Sequence, residues 1–251
     1  DPTLILDSFL PRFRSLNVEA HEEDGILLSS CSELMKQEYH TIKKAGGLLG
    51  VPFPWEIMNK LTGGILDEEF IVIYGRPGQM KTWLACAMAA TAYKANRRVM
   101  FFSKEISRKA ILRRTSSILV GVDYAKLKLG NLSKENEEAY FEYLDELGAL
   151  EEAQEKNGRR RSFLCVSDKG KRRASTVDNL VTYAERFQPD IIFVDGFYLM
   201  RDARSGTKTV DWKNVAHISQ DLKNMAQYLE VPVIGTSQAN RTKAAAPSLD
   251  L

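Results

Sequence analysis

The sequence of 251 residues is short of everything that would build a covalent or metal-held framework. Its three cysteines, Cys31, Cys86 and Cys165, lie far apart with no C-x-x-C pair, and its three histidines, His21, His40 and His217, form no ligand-spaced cluster with them. A disulfide scaffold and a structural zinc site are thereby excluded, and reduced thiols are expected. Long apolar runs are missing too. The longest mostly apolar stretch, Trp83 to Tyr93, falls short of the roughly 20 residues a bilayer-spanning helix needs, so no membrane crossing is expected. No basic-then-apolar leader follows Asp1, so no secretory signal is visible. The first residue is not Met, which leaves either terminus open to being a cut. Excess charge of one sign is lacking as well: 35 Lys and Arg stand against 33 Asp and Glu, and the net charge of +2 selects no partner.

What is present is material for a substantial core. With 44% hydrophobic residues, 16 Gly and 8 Pro, collagen-like and disordered chains are excluded, and the length suits one large α/β unit with or without an appendage. Ser30-Cys31-Ser32-Glu33 fits a capping box, Cys31, Met35, Ile42 and Ala45 fall near one helical face, and Gly46-Gly47 stops the helix. This narrow stripe suits docking on a neighbouring subunit as well as packing on its own domain.

From Phe70 onward, short β-branched and aromatic runs alternate with helical stretches. The runs are Phe70 to Tyr74, Val99 to Phe102, Phe163 to Val166, Ile191 to Val194 and Val231 to Ile234. Such runs, without strict alternation, predict strands buried on both faces of a parallel sheet with helices above and below. Ligands of such sheets sit at the carboxyl ends of the strands. Residues 134–155 hold nine acidic side chains against one Lys, and residues 156–173 hold eight basic ones against one Asp. The basic stretch, with Arg159 to Arg161 and Lys171 to Arg173, suits either nucleic-acid phosphates or a solvated face balancing the acidic helix.

After the first run comes Gly75-Arg76-Pro77-Gly78-Gln79-Met80-Lys81-Thr82, leading into a helix-forming stretch from Trp83 to Ala95. A phosphate-binding loop needs amides around the β-phosphate, a Lys for the β/γ oxygens and a Thr or Ser hydroxyl for Mg²⁺, all at a helix N-terminus. Gly75, Lys81 and Thr82 stand at the right places, while Met80 replaces the second Gly of the pattern. An ordinary strand-to-helix turn would look similar. Three more polar residues end later runs: Asp195 as a Mg²⁺-holding carboxylate, Glu105 as a group to polarise water, and Gln238 as a phosphate sensor. Each alone is common; together, downstream of one such loop, they point to a nucleotide site.

In order and wording these segments resemble the carboxyl-terminal motor domain of DnaB-type replicative helicases, from about residue 30 to 243. The resemblance rests on Leu61-Thr62-Gly63-Gly64, Arg76-Pro77, Phe101 to Ser107 with Arg113-Arg114, Gly130-Asn131-Leu132, Val194-Asp195 with Leu199-Met200, and Val231 to Arg241. It implies a RecA-like P-loop ATPase fold, a mostly parallel sheet flanked by helices, using ATP and Mg²⁺. It also implies phosphate binding by Lys81, Mg²⁺ on Thr82 and Asp195, water activation by Glu105, sensing by Gln238 and an arginine near the nucleotide at Arg114. Lys104 departs from a usual apolar residue.

The same resemblance makes the helix near residues 30–45 a linker that packs on the next subunit of a ring, with residues 1–45 an N-terminal remnant plus linker and 46–251 a C-terminally incomplete ATPase domain. The expected function is a hexameric, 5′ to 3′ helicase motor on single-stranded DNA, which Arg201, Arg204, Lys208, Arg241 and Lys243 would contact, with a primase and a helicase loader as further partners. Two other readings stay open here: a filament-forming recombination ATPase, and a nucleotide-binding loader or structural subunit without hydrolysis.

Overall fold

The computed structural model describes residues 27–157, 161–169, 175–204 and 212–239. The chain divides into two compact units, residues 1–46 and 47–251. In the first, helix α1 spans Ser32–Lys44, and Gly46 follows it at positive φ. The expected capping box does not form. Cys31 is the N-cap and its side chain caps nothing, while the Ser30 hydroxyl donates to Leu27 O within a preceding 3₁₀ turn. A local turn has taken the hydroxyl that the helix start would otherwise use.

The second unit is a three-layer α/β/α structure. It runs α2 (Glu56–Thr62), β1 (Phe70–Gly75), α3 (Lys81–Lys94), β2 (Arg98–Ser103), α4 (Arg108–Val120), α5 (Tyr124–Leu129), α6 (Lys134–Asn157), β3 (Ser162–Ser167), α7 (Val177–Phe187), β4 (Ile191–Asp195), α8 (Trp212–Leu229) and β5 (Val233–Gln238). The strands form one sheet in the order β1-β5-β4-β2-β3, every pairing parallel.

Alternating residues send side chains to opposite faces of this sheet. Val99, Phe101, Ile191, Phe193 and Ile234 pack with α3 and α4 through Ala85, Cys86, Ala89, Ala92 and Ile111. Met100, Phe102, Ile192, Val194 and Val233 pack on the other side with α7 and α8 through Leu180, Ala184, Ile218, Leu222 and Ala226. The alanines of α3 let its backbone approach the sheet closely.

Burial on both faces holds for β2, β4 and β5 and fails for the outer strands. Val72 and Tyr74 of β1 are 44% and 68% exposed, and every β3 residue is only partly buried. Strand order, a tertiary property, decides which apolar runs sit centrally. β5 also begins two residues later than its run, at Val233, and extends to Gln238: Val231 N–H bonds back to Ala226 O of α8, and Pro232, which accepts from Ile192 N–H of β4, has no N–H of its own to pair. Likewise α3 starts at Lys81, two residues before Trp83.

Candidate nucleotide site

The carboxyl ends of β1, β2, β4 and β5 bring residues 75–82, 103–105, 195–198 and 236–238 to one edge of the sheet. Gly75 pairs in register with Gln238, and Ser103 with Asp195. The loop after β1 is closed by its own side chains: Arg76 N–H donates to Gln79 Oε1 at 2.8 Å, and Lys81 Nζ donates to Arg76 O at 3.0 Å. Met80, the residue that departs from the loop pattern, has φ 56° and ψ 21° and forms the N-cap of α3. It thus holds the left-handed backbone that glycine adopts freely, and its side chain is 65% exposed.

The residues present fit a nucleoside triphosphate. Gly78 has φ 78° and nothing within 4 Å of where a Cβ would stand. Among the described residues, the amides of Gly78 and Met80 bond no protein group. They adjoin the first turn of α3, whose own N–H groups and dipole favour an anion.

Asp195, fully buried at the end of β4, is the hub. Its Oδ1 accepts from the hydroxyls of Thr82 (2.9 Å) and Thr236 (3.0 Å), and its Oδ2 from Ser103 (2.8 Å). Thr236 Oγ1 in turn accepts from Gly196 N–H at 2.8 Å, which fixes the chain just past the carboxylate. The two groups expected to hold Mg²⁺, Thr82 and Asp195, are therefore in direct contact. Ser103 and Thr236 escaped sequence reasoning; the signal available was a hydroxyl residue closing an apolar strand beside another polar strand end.

Glu105 and Gln238 meet through a third residue. Tyr198 lies in the 3₁₀ turn Phe197–Leu199 after β4, with its hydroxyl 2.9 Å from Glu105 Oε1 and 2.8 Å from Gln238 Oε1. Burial, and next the hydrogen bond to Glu105, push the Tyr198 phenol well above its usual range. Nothing in the sequence marks Tyr198. Beside Glu105, the Lys104 ammonium is 3.2 Å from Asp168 Oδ2, both side chains largely buried.

Arg114, on α4, packs against the first turns of α3 and α5. Its guanidinium lies 4.9 Å from the Trp83 ring centroid and 5.9 Å from that of Tyr124, and these two rings meet edge to face. Its buried Nε makes no hydrogen bond. Of the residues expected on DNA, Arg201 and Arg204 follow β4, whereas Lys208, Arg241 and Lys243 lie outside the described residues. Arg204 is engaged: its guanidinium bonds both carboxylate oxygens of Asp221 at 2.8 and 2.7 Å and approaches Asp202 at 3.4 Å. Arg161 of the basic stretch lies over the Tyr93 ring at 5.1 Å; Arg159, Arg160 and Lys171 to Arg173 are outside the described residues.

A cavity of about 670 Å³ lies at the other edge of the sheet, where Arg97, Asp190 and Val231 precede β2, β4 and β5. It holds none of this chemistry. A phosphate cradle built of amides is an open edge, so cavity size is a poor guide to it. Among the described residues no helix is long and apolar enough to cross a membrane, and Cys31, Cys86 and Cys165 are free thiols.

Comparison with known proteins shows the family of the chain. The family model for the DnaB-like helicase C terminal domain matches residues 50–247. The chain belongs to the DnaB-like helicase C-terminal domain family. It is 31% identical over 202 residues to the replicative DNA helicase DnaB of Buchnera aphidicola subsp. Schizaphis graminum, covering 78% of this chain and 40% of that protein. It is 30% identical over 213 residues to the DnaB of Haemophilus influenzae, covering 83% and 42%. It therefore spans about two fifths of the length of these relatives. In fold it is similar to a solved structure described as an ATPase domain, with a TM-score of 0.68 at 23% identity over 84% of this chain and 72% of that one. A DnaB-like replicative helicase, described with its interactions with primase, gives the same TM-score at 19% identity over 97% of this chain and 56% of that one. The RecA-like ATPase fold inferred from the sequence is thus borne out.

Proposed function

We propose that this DnaB-like domain hydrolyses ATP to drive a replicative DNA helicase. The observation that carries the reading is the contact of Thr82 with Asp195 at the mouth of an amide-lined loop, with Glu105 on the neighbouring strand end. Lys81, freed from Arg76 O, is suited to the β/γ oxygens, and the unbonded amides of the loop to the phosphates between. Thr82 and Asp195 would hold Mg²⁺, which when bound neutralises charge on the phosphates. Glu105 orients the attacking water and Gln238 senses the terminal phosphate. Phosphoryl transfer asks little more of a protein than such positioning and electrostatics. The left-handed backbone of Met80 supports retained hydrolysis over a nucleotide-binding subunit without turnover, because a glycine's conformation is kept there.

The motor reading extends to a hexameric ring translocating 5′ to 3′ on single-stranded DNA in the cytoplasm, with a primase and a loader as partners. Arg201, Arg204, Lys208, Arg241 and Lys243 would meet the phosphates. Arg204 must then exchange the Asp221 carboxylate for a phosphate, two anions its planar fork suits equally.

The test is ATP hydrolysis with and without single-stranded DNA, together with unwinding of a forked duplex, by the full-length protein. Lys81→Ala and Glu105→Gln are each expected to lose turnover and unwinding while native mass stays that of a hexamer. Wild-type turnover in Lys81→Ala would remove the site; a filament instead of a closed ring would favour recombination.

A further inference from the structure

Tyr198 stands between the two groups that hydrolysis would need free. A phenol carries one proton, so it donates to Glu105 Oε1 or to Gln238 Oε1, each within 2.9 Å. Turning the Gln238 amide over places Nε2 against the phenol oxygen and satisfies all three groups at once. With the amide turned so, the phenol donates to Glu105 Oε1 and accepts from Gln238, so that one hydroxyl ties up an oxygen of Glu105 and the Gln238 amide together. The Tyr198 phenol, held protonated by its surroundings, keeps its donor at any working pH.

The chain around Tyr198 suits this arrangement. A Cβ at Gly196 would stand 2.7 Å from Glu105 Cγ, and Gly196 has φ 80°, so the missing side chain makes room for Glu105 to fold back over β4. Phe197 is 2% exposed and meets Phe70 edge to face, which anchors the turn. Tyr198 itself is only partly buried. The turn leads through Met200 into Arg201 to Arg204, where the segment expected to face DNA begins.

We propose that Tyr198 is a positioning residue that withholds Glu105 and Gln238 from the nucleotide in the resting motor, and that its release from both turns hydrolysis on. The proposal rests on the ATPase reading above and adds its control.

The experiment uses the full-length protein with Tyr198→Phe, which keeps the ring and removes the hydroxyl. Without DNA, kcat for ATP is expected to rise about tenfold, equivalent to about 1.4 kcal/mol, with KM unchanged within about twofold. Stimulation by single-stranded DNA then falls in proportion. Added to Glu105→Gln, the same substitution is expected to raise nothing. DNA-free turnover in Tyr198→Phe at or below wild type overturns the proposal, as does a rise that persists in the Glu105→Gln background. Lys81→Ala run in parallel separates the two readings. If it is inactive while Tyr198→Phe matches wild type, only the clasp fails; if it turns over normally, the ATPase site fails.

Discussion

Thr82 and Asp195 lie 113 residues apart in the chain, and their hydroxyl and carboxylate meet at 2.9 Å. The bond joins the first turn of α3 to the end of β4, so the two candidate Mg²⁺ ligands are placed before any ion arrives. Thr82→Ala leaves Asp195 its contacts from Thr236 and Ser103, so folding should lose only about 1–2 kcal/mol. Its effect should fall on the metal: the Mg²⁺ needed for half-maximal turnover should rise about 10–100-fold, the scale for loss of a supporting group at a metal site. Thr82→Ser should stay close to wild type. Titration of hydrolysis with Mg²⁺ measures both; an unchanged Mg²⁺ dependence in Thr82→Ala would detach Thr82 from the ion.

Lys81, Thr82 and Asp195 were legible in the sequence because their chemistry is tied to fixed spacing and to the ends of apolar runs. So were the central strands, since burial on both faces leaves little choice but Val, Ile and Phe. Ser103 and Thr236 were hidden because a hydroxyl is as ordinary in a strand as in a site, and only the strand order places both beside Asp195. Tyr198 was hidden because its role depends on Glu105, 93 residues earlier, folding over Gly196. The exposure of Val72 and Tyr74 was equally out of reach, because composition does not say which strand is outermost.

Met80 at φ 56° carries strain that Gly would not. A non-glycine residue in this region costs roughly 1–2 kcal/mol, which glycine recovers in part and then loses to its freer unfolded chain. Met80→Gly should therefore change stability by less than about 1 kcal/mol and keep or raise turnover. Met80→Val, β-branched at positive φ, should cost more than about 1 kcal/mol and weaken ATP binding. Urea unfolding with nucleotide titration decides; a Met80→Val protein as stable as wild type would mean the loop backbone is not held left-handed.

Asp202 gives the segment after β4 a pH dependence. Its carboxyl is held below the usual carboxylate range, first by the 2.8 Å hydrogen bond with His217 Nδ1 and next by Arg204 N–H. A carboxyl with a lower value folded than unfolded binds more protons when unfolded. Its stabilisation is thus complete above about pH 4, the unfolded range, and is lost as pH falls through the folded value. The urea midpoint of the wild type should drop on acidification below about pH 4, and Asp202→Asn should show a lower midpoint at neutral pH with a shallower acid limb. Parallel acid limbs would assign the loss to other carboxylates.

Burial pushes the thiols of Cys86 and Cys165 up to about 12. At about pH 8 the thiolate fraction of each is then about three orders of magnitude below that of a free cysteine. Iodoacetamide should label both in urea and leave both almost untouched in the folded protein, as read by peptide mass. Rapid labelling of Cys86 without urea would mean that α3 opens away from the sheet.

Lys104 and Asp168 close the ends of β2 and β3 with an ion pair whose side chains are 13% and 1% exposed. Asp168 Oδ2 also accepts from Ser175 N–H at 2.7 Å, while its Oδ1 is buried without a partner. Removing the cation alone strands a desolvated carboxylate, whose cost is about 3–5 kcal/mol for buried pairs broken on one side. Lys104→Met should lose stability on that scale. Adding Asp168→Asn should recover more than half of it, because the amide oxygen still accepts from Ser175 and no charge remains buried. Urea unfolding of the two single variants and the double gives the coupling directly. A Lys104→Met cost below about 1 kcal/mol would mean that water already reaches Asp168, and that the ammonium beside Glu105 is surface charge and not part of the fold's support.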